Sequence, residues 1–289
     1  MPSLSYKLFS KVVGTIPLKP RLELLFYRRF GERPELSNPI TFNEKIQYRK
    51  LNDRRDLLTQ AAGKLESKRF VSKVLPSLFF PKTLWEGNCL TDVDNLDMDL
   101  LPQNYVFKGN HTSQTIEIVR HSKHLPRSRM KKLTNRWLRH DQSSSLGEWA
   151  YKNVEKKVFI EEFLDFNGQA PDDYKFFVYS GKVHFIQLDS DRFTKHRRNM
   201  FDRDWNELDF KYSHERKVPV PIKPTFLSEM IAVAEELGKS FDFIRVDLYH
   251  YRGQVTFGEL TVYPGAGFEK FPSRELDQMF GRPWDIQVG

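Results

Sequence analysis

Positions 245–268, RVDLYHYRGQVTFGELTVYPGAGF, limit the folds open to this chain more than any other stretch. They read as two strands, Arg245 to His250 and Gln254 to Thr261, joined by a tight turn. Most of the stretch suits a buried hairpin. Arg245, Asp247 and Glu259 nevertheless lie inside the strands, where charge is costly unless it has a partner. A turn of Arg252 and Gly253 alone would put Asp247 and Glu259 on opposite faces. A three-residue loop, Tyr251-Arg252-Gly253 with Gly253 left-handed, pairs His250 with Gln254, Arg245 with Glu259, and Asp247 with Phe257. Arg245, Asp247, Glu259 and Thr261 then share one face, while Ile244, Val246, Leu248 and Leu260 pack on the core. Carboxylates on diagonal positions, ~7–8 Å apart at the backbone, can reach inward to one divalent cation. Their hard oxygens suit Mg²⁺, which keeps water and phosphate oxygens as its other ligands. The competing reading is a surface ion pair between Arg245 and Glu259 with Asp247 solvated.

The N-terminal 75 residues read as helical. Leu4, Leu8, Val12 and Ile16 recur every fourth residue, a second helix spans Arg21 to Phe30 and stops at Gly31, and Thr41-Phe42-Asn43-Glu44 forms a capping box opening a helix through Leu51. Asp53 to Leu75 continues as helix, weakened at Gly63. Strands then enter. YVFKG at 105–109 is one and KVFIEEFL at 157–164 another, with a basic helix from Pro126 to His140 between them. Residues 173–189 form a hairpin turning at Ser180-Gly181, which puts Lys175 on the face opposite Phe176 and Val178. Phe226 to Leu237 is a helix. Helices and strands in this order predict an α+β fold.

A net charge of +8 favours acidic partners such as nucleotides, anionic glycans, nucleic acid or an anionic membrane. One cysteine, Cys89, cannot form an internal disulfide, which points to a reducing compartment. No apolar run approaches the ~20 residues of a membrane span, and no signal peptide is evident. A cytoplasmic protein is expected. Lys7 and Lys11 on the amphipathic 4–16 stretch offer peripheral contact with the inner membrane face or a lipid-linked glycan. Residues 188–202, LDSDRFTKHRRNMFD, read as a loop. Asp189-Ser190-Asp191 matches the metal-holding triplet of many glycosyltransferases, a pattern common by chance. Beside it, Arg192, Lys195, His196, Arg197 and Arg198 form either a solvated loop or an electropositive wall for an anionic acceptor. The basic helix could bind nucleic acid through Trp137, but there is no RNA-binding motif and no nucleic-acid partner is expected.

RVD, GEL and PG in the opening hairpin resemble the Arg-x-Asp, Glu-x-Asn and Pro-Gly metal segment of ATP-grasp enzymes. FNEKIQYRKLND, YVFKGNHTS, EWAYKNV, IEEFL, DYKFFVYSGKVHFIQLDSDR and DFIRVDLY, in that order, resemble the TupA-like branch, associated with teichuronopeptide and surface-polysaccharide synthesis. The resemblance implies an ATP-grasp fold in which a helical region (1–75) precedes a lid lobe (76–158) and a core sheet (159–289), with ATP and Mg²⁺ as cofactors. It implies that Lys108 and Lys175 contact phosphates and that the loop after Lys108, with His111 and Ser113, lines the nucleotide. Glu161 and Glu162 would sit at the hinge beside adenine and ribose. Asp247, Glu259 and Thr261 would hold the metal, and Arg245 the transferring phosphoryl group. The basic loop, not the resemblance, makes Arg192, nearest the strand end, the candidate to face an anionic sugar or amino-acid acceptor. The implied activity is ligation of a carboxylate to an amine through an acyl phosphate. The alternatives are a sugar kinase on the same site and, more remotely, a glycosyltransferase. Thr261 stands where the family has Asn, residues 110–115 lack the glycines of a phosphate-closing loop, and Gly63-Lys64 and Lys68 replace the family's Asp-Lys and Arg.

Overall fold

A computed structural model describes residues 13–120, 124–141, 143–168, 171–192 and 194–286. The amphipathic stretch expected at 4–16 lies almost wholly outside them. The first helix, α1 (Leu18–Phe30), ends where Gly31 turns left-handed at φ 84°. In α2 (Phe42–Asn52) Thr41 and Glu44 cap each other reciprocally, as the sequence pattern requires. The expected long helix is two, α3 (Asp56–Ala62) and α4 (Lys64–Val74), because Gly63 adopts an extended conformation between them. Among the described residues no helix is long and apolar enough to cross a membrane.

Two antiparallel sheets follow. The smaller contains β1 (Thr83–Gly87), β2 (Tyr105–Gly109), β3 (Ile116–Val119) and β4 (Val158–Glu162), in the order β1-β4-β2-β3. Between these strands run α5 (Leu90–Asn95), α6 (Arg127–Leu138) and the short α7 (Ser143–Leu146). The sheet has its own core, in which Phe107 packs against Trp137 of α6.

The larger sheet is ordered β10-β9-β5-β6-β7-β8. It comprises β5 (Asp173–Tyr179), β6 (Lys182–Ser190), β7 (Arg197–Asp202), β8 (Glu207–Leu208), β9 (Phe243–Tyr251) and β10 (Gln254–Thr261). Helix α8 (Leu227–Gly238) covers one face, where a Cβ on Gly238 would meet Val178 at 2.3 Å. The opposite face is divided. At one end Phe177 and Phe243 pack on Phe42 of α2, and Trp284 lies behind them. A C-terminal helix, α9 (Arg274–Gly281), capped by Ser273, closes this end. At the other end the same alternation delivers Asp173, Lys175, Arg245 and Asp247.

The hairpin turn differs from expectation. Tyr251 pairs with Gln254 across a two-residue turn in which Arg252 and Gly253 both have positive φ, 50° and 82°. The faces are reconciled further along by a bulge between Phe257 and Glu259, so that Glu259 lies directly opposite Asp247 and Thr261 opposite Arg245. Residues 188–202 also differ. They are largely strand, with β6 reaching Ser190 and β7 pairing Arg198 with Asp189.

Candidate active site between the two sheets

A cavity of about 640 Å³ opens between the small sheet and the polar end of the large one. Its floor is a cross-strand row in which Glu259 faces Asp247, Asp247 faces Lys175, and Lys175 faces Gln187. Each strand contributes one side chain, so four strands place two carboxylates, an ammonium and an amide in a line. Asp247 is 2% exposed. Its Oδ1 accepts from Arg245 Nε at 2.7 Å, and its Oδ2 from Lys175 Nζ at 2.6 Å and Arg245 Nη2 at 2.8 Å. Burial opposes ionisation of Asp247, but Arg245 and Lys175 together outweigh it and hold the carboxyl below its usual range. Glu259 lines the cavity, makes no hydrogen bond or ion pair among the described residues, and depends on Gly258 for its position. A Cβ on Gly258 would stand 2.9 Å from the Asp247 carbonyl and 2.7 Å from the Tyr249 ring.

The roof is a lysine cluster. Glu161, on β4, is 4% exposed and pairs with Lys68 Nζ at 2.7 Å and with Lys108. Burial opposes the Glu161 charge, yet Lys108 and Lys68 bring its carboxyl below the usual range. Burial also lowers the proton affinity of Lys64, with Glu259 working the other way. Eight lysines and arginines line the cavity against six carboxylates, leaving a cationic surplus at the roof. Such a surplus suits a polyanion.

Lys64 also secures the loop after β2. Its Nζ donates to the carbonyls of Gly109 (3.1 Å) and Thr112. Asn110 accepts from the Leu65 amide at 2.8 Å and donates to Glu66 and to the Glu155 carbonyl. The loop bends left-handed at Gln114, φ 58°, and Ser113, Gln114 and Thr115 reach the cavity. Side-chain anchors thus fix a loop that has no glycine after Gly109.

Of the residues expected in the site, Lys108, Ser113, Glu161, Glu162, Lys175, Arg192, Arg245, Asp247 and Glu259 line this one cavity. His111 and Thr261 do not. His111 is 1% exposed with Nε2 on the Trp137 carbonyl at 3.0 Å, so it closes the small sheet's core instead of facing a nucleotide. The Thr261 hydroxyl accepts from Arg245 Nη2 at 3.1 Å and steadies the guanidinium. Glu161 serves the two lysines, and Glu162 accepts from the Lys82 amide at 3.0 Å. Arg192 is paired with Asp173 at 2.6 Å, and Arg198 is buried between Asp189 (2.6 Å) and Glu269. Asp191 turns outward to Lys217, so Asp189 and Asp191 do not converge. Sequence reading missed Asp173 and Gln187 as contributors and gave Lys64 no role. The alternation that identified Lys175 also places Asp173 on its face.

A family model described as TupA-like ATPgrasp matches residues 44–284. The chain therefore belongs to the TupA-like ATP-grasp family, a class that works with ATP and Mg²⁺. Among curated proteins no match was found. The solved structures similar in outline include three ligases. The D-alanine–D-alanine ligase of Helicobacter pylori is 13% identical, with 78% of this chain and 61% of that one covered and a TM-score of 0.44. The corresponding ligase of Bacillus anthracis is 16% identical, with 78% and 66% covered and a TM-score of 0.47. The ATP-grasp ligase PsnB, complexed with minimal precursor, Mg and ADP, is 13% identical, with 84% and 66% covered and a TM-score of 0.42. The family assignment rests on the match over 44–284, and nothing further is drawn from these likenesses.

The residues present fit the two cofactors. Among the described residues no cluster of three or more His, Cys, Asp or Glu side chains forms a closed metal cage. Two facing carboxylates, one without a partner, are instead what Mg²⁺ takes when it keeps waters and phosphate oxygens.

Proposed function

We propose that the protein is an ATP- and Mg²⁺-dependent ligase that activates a carboxylate as its acyl phosphate and joins it to an amine. The observation carrying this reading is the row Glu259–Asp247–Lys175 beneath the lysine roof of a single cavity. Asp247 and Glu259 would hold Mg²⁺, which supplies charge neutralisation at the phosphates. Lys108, Lys64 and Lys175 would neutralise phosphate oxygens, and Arg245, fixed by Asp247 and Thr261, would orient the transferring group. Such chemistry needs chiefly positioning and electrostatics, which a preorganised row provides. The TupA-like description supports a place in surface-polysaccharide or glycoconjugate synthesis.

The products decide the reaction. A ligase releases ADP and inorganic phosphate in equal amounts, and hydroxylamine traps its acyl phosphate as a hydroxamate. ADP without free phosphate, together with a phosphorylated sugar by mass, would establish a kinase on the same site.

A further inference from the structure

The far end of the cavity floor carries acceptor oxygens without donors. The Asp173 side chain is 1% exposed. Its Oδ2 takes both Lys175 Nζ at 2.5 Å and Arg192 Nη1 at 2.6 Å, and its Oδ1 has no hydrogen-bond partner among the described residues. Gln187, also 1% exposed, donates Nε2 to Asp189 Oδ2 at 3.0 Å, and its Oε1 is likewise without a partner. Asp189 settles the amide orientation, because a flipped Gln187 would set oxygen against carboxylate. Both residues line the cavity. They lie on neighbouring strands around Lys175, which directly faces Gln187. Buried acceptors are almost always satisfied, so two left without donors beside one cavity mark where a ligand or ordered water brings N–H or O–H groups.

The cations at this end are already engaged. Arg198 is held by Asp189 and Glu269, and Arg192 by Asp173. Of the electropositive wall expected at this end, the two arginines that line the cavity, Arg192 and Arg198, are therefore neutralised in place. An incoming carboxylate would bring acceptors to acceptors, whereas an ammonium would bring donors.

We propose that this end of the cavity holds the amine partner, a primary amine or amino sugar, with its ammonium donating to Asp173 Oδ1 and Gln187 Oε1. This rests on the ligase reading and names which of its two substrates occupies the strands opposite the metal carboxylates.

Calorimetric titration of the full chain, saturated with Mg²⁺ and a non-hydrolysable ATP analogue, tests it with ethanolamine and D-glucosamine as probes. N-acetyl-D-glucosamine and D-glucuronate serve as the amine-free and acidic counterparts. At least one amine should bind saturably and N-acetyl-D-glucosamine should not, and any glucuronate binding should be unaffected by Gln187→Leu or Asp173→Asn. Gln187→Leu and Asp173→Asn should each weaken amine binding about tenfold, the loss of one charge-assisted or buried hydrogen bond. Gln187→Leu should weaken amine binding more than it weakens binding of the ATP analogue. Saturable glucuronate binding without amine binding, no response to either amine, or amine binding indifferent to both substitutions overturns the proposal. Nucleotide binding is read first in the same titration. Its failure in the wild-type chain counts against the ligase reading, and its success without an amine response counts against this one.

Discussion

Glu259 and Asp247 face each other across one pair of strands, yet their substitutions should behave differently. Glu259 forms no hydrogen bond or ion pair among the described residues, so Glu259→Gln should leave stability within ~0.5 kcal/mol of wild type. Its ATP turnover should nevertheless fall by about 100-fold or more, because a preorganised charge at the phosphates is lost. Asp247→Asn should also abolish turnover, but it releases Arg245 and Lys175 from a buried carboxylate and should cost about 3 kcal/mol in denaturant unfolding. Equal stability losses for the two would contradict the separate roles. At the roof, Lys64→Met removes both a cavity charge and the tether on the Gly109 and Thr112 carbonyls. It should weaken binding of the ATP analogue and speed amide exchange in residues 109–115, and tight binding with unchanged exchange would argue against the tether.

At the scale of elements, the metal hairpin shows what was legible in the sequence. A three-residue loop and a two-residue turn followed by a bulge both insert one extra residue, so both bring Asp247 and Glu259 to one face. The shared face could be read without knowing which device was used. The signal for the bulge is Gly258, where any Cβ would strike the Asp247 carbonyl and the Tyr249 ring. Gly258→Ala should therefore cost about 1–3 kcal/mol and lower turnover through Glu259, while Gly253→Ala should be destabilising with turnover retained. The capping box of α2 was legible because its signals are local. Strand β7 was not, because its burial depends on Arg198 meeting Asp189 and the distant Glu269. The break at Gly63 was visible only as a weakness, since the helices beside it would otherwise continue.

A second joint links α2, the N-terminus of α3 and the C-terminal segment. Asp242 binds Arg49 at 2.8 Å, Arg55 at 2.6 Å and Trp284 Nε1 at 2.7 Å. Burial opposes its charge, but Arg49 and the other partners bring its carboxyl down to about 2. A folded-state value below the unfolded one gives stability that is complete above about pH 4 and lost as pH falls toward 2. The contribution is about 2 kcal/mol at neutral pH. Urea midpoints should show this loss in the wild type and a smaller pH response in Asp242→Asn. Identical responses would remove Asp242 from the account.

Across the whole molecule, function depends on two sheets facing each other over one cavity. Helix α4 and the small sheet supply the lysines of the roof, and the large sheet supplies the facing carboxylates Asp247 and Glu259 and the unpartnered acceptors. The division of the large sheet's face explains how one element serves both stability and chemistry. Its aromatic end is sealed by α2, α9 and Trp284, which leaves the charged end free to line the site. The central claim is that the hairpin carboxylates and the lysine roof together bind ATP through Mg²⁺. Titration of a non-hydrolysable ATP analogue into the wild-type chain and Glu259→Gln, each with and without Mg²⁺, tests it most directly. Saturable binding that Mg²⁺ strengthens in the wild type, with that strengthening lost in Glu259→Gln, is the predicted result. Binding that is absent, or that responds to Mg²⁺ equally in both chains, would contradict it.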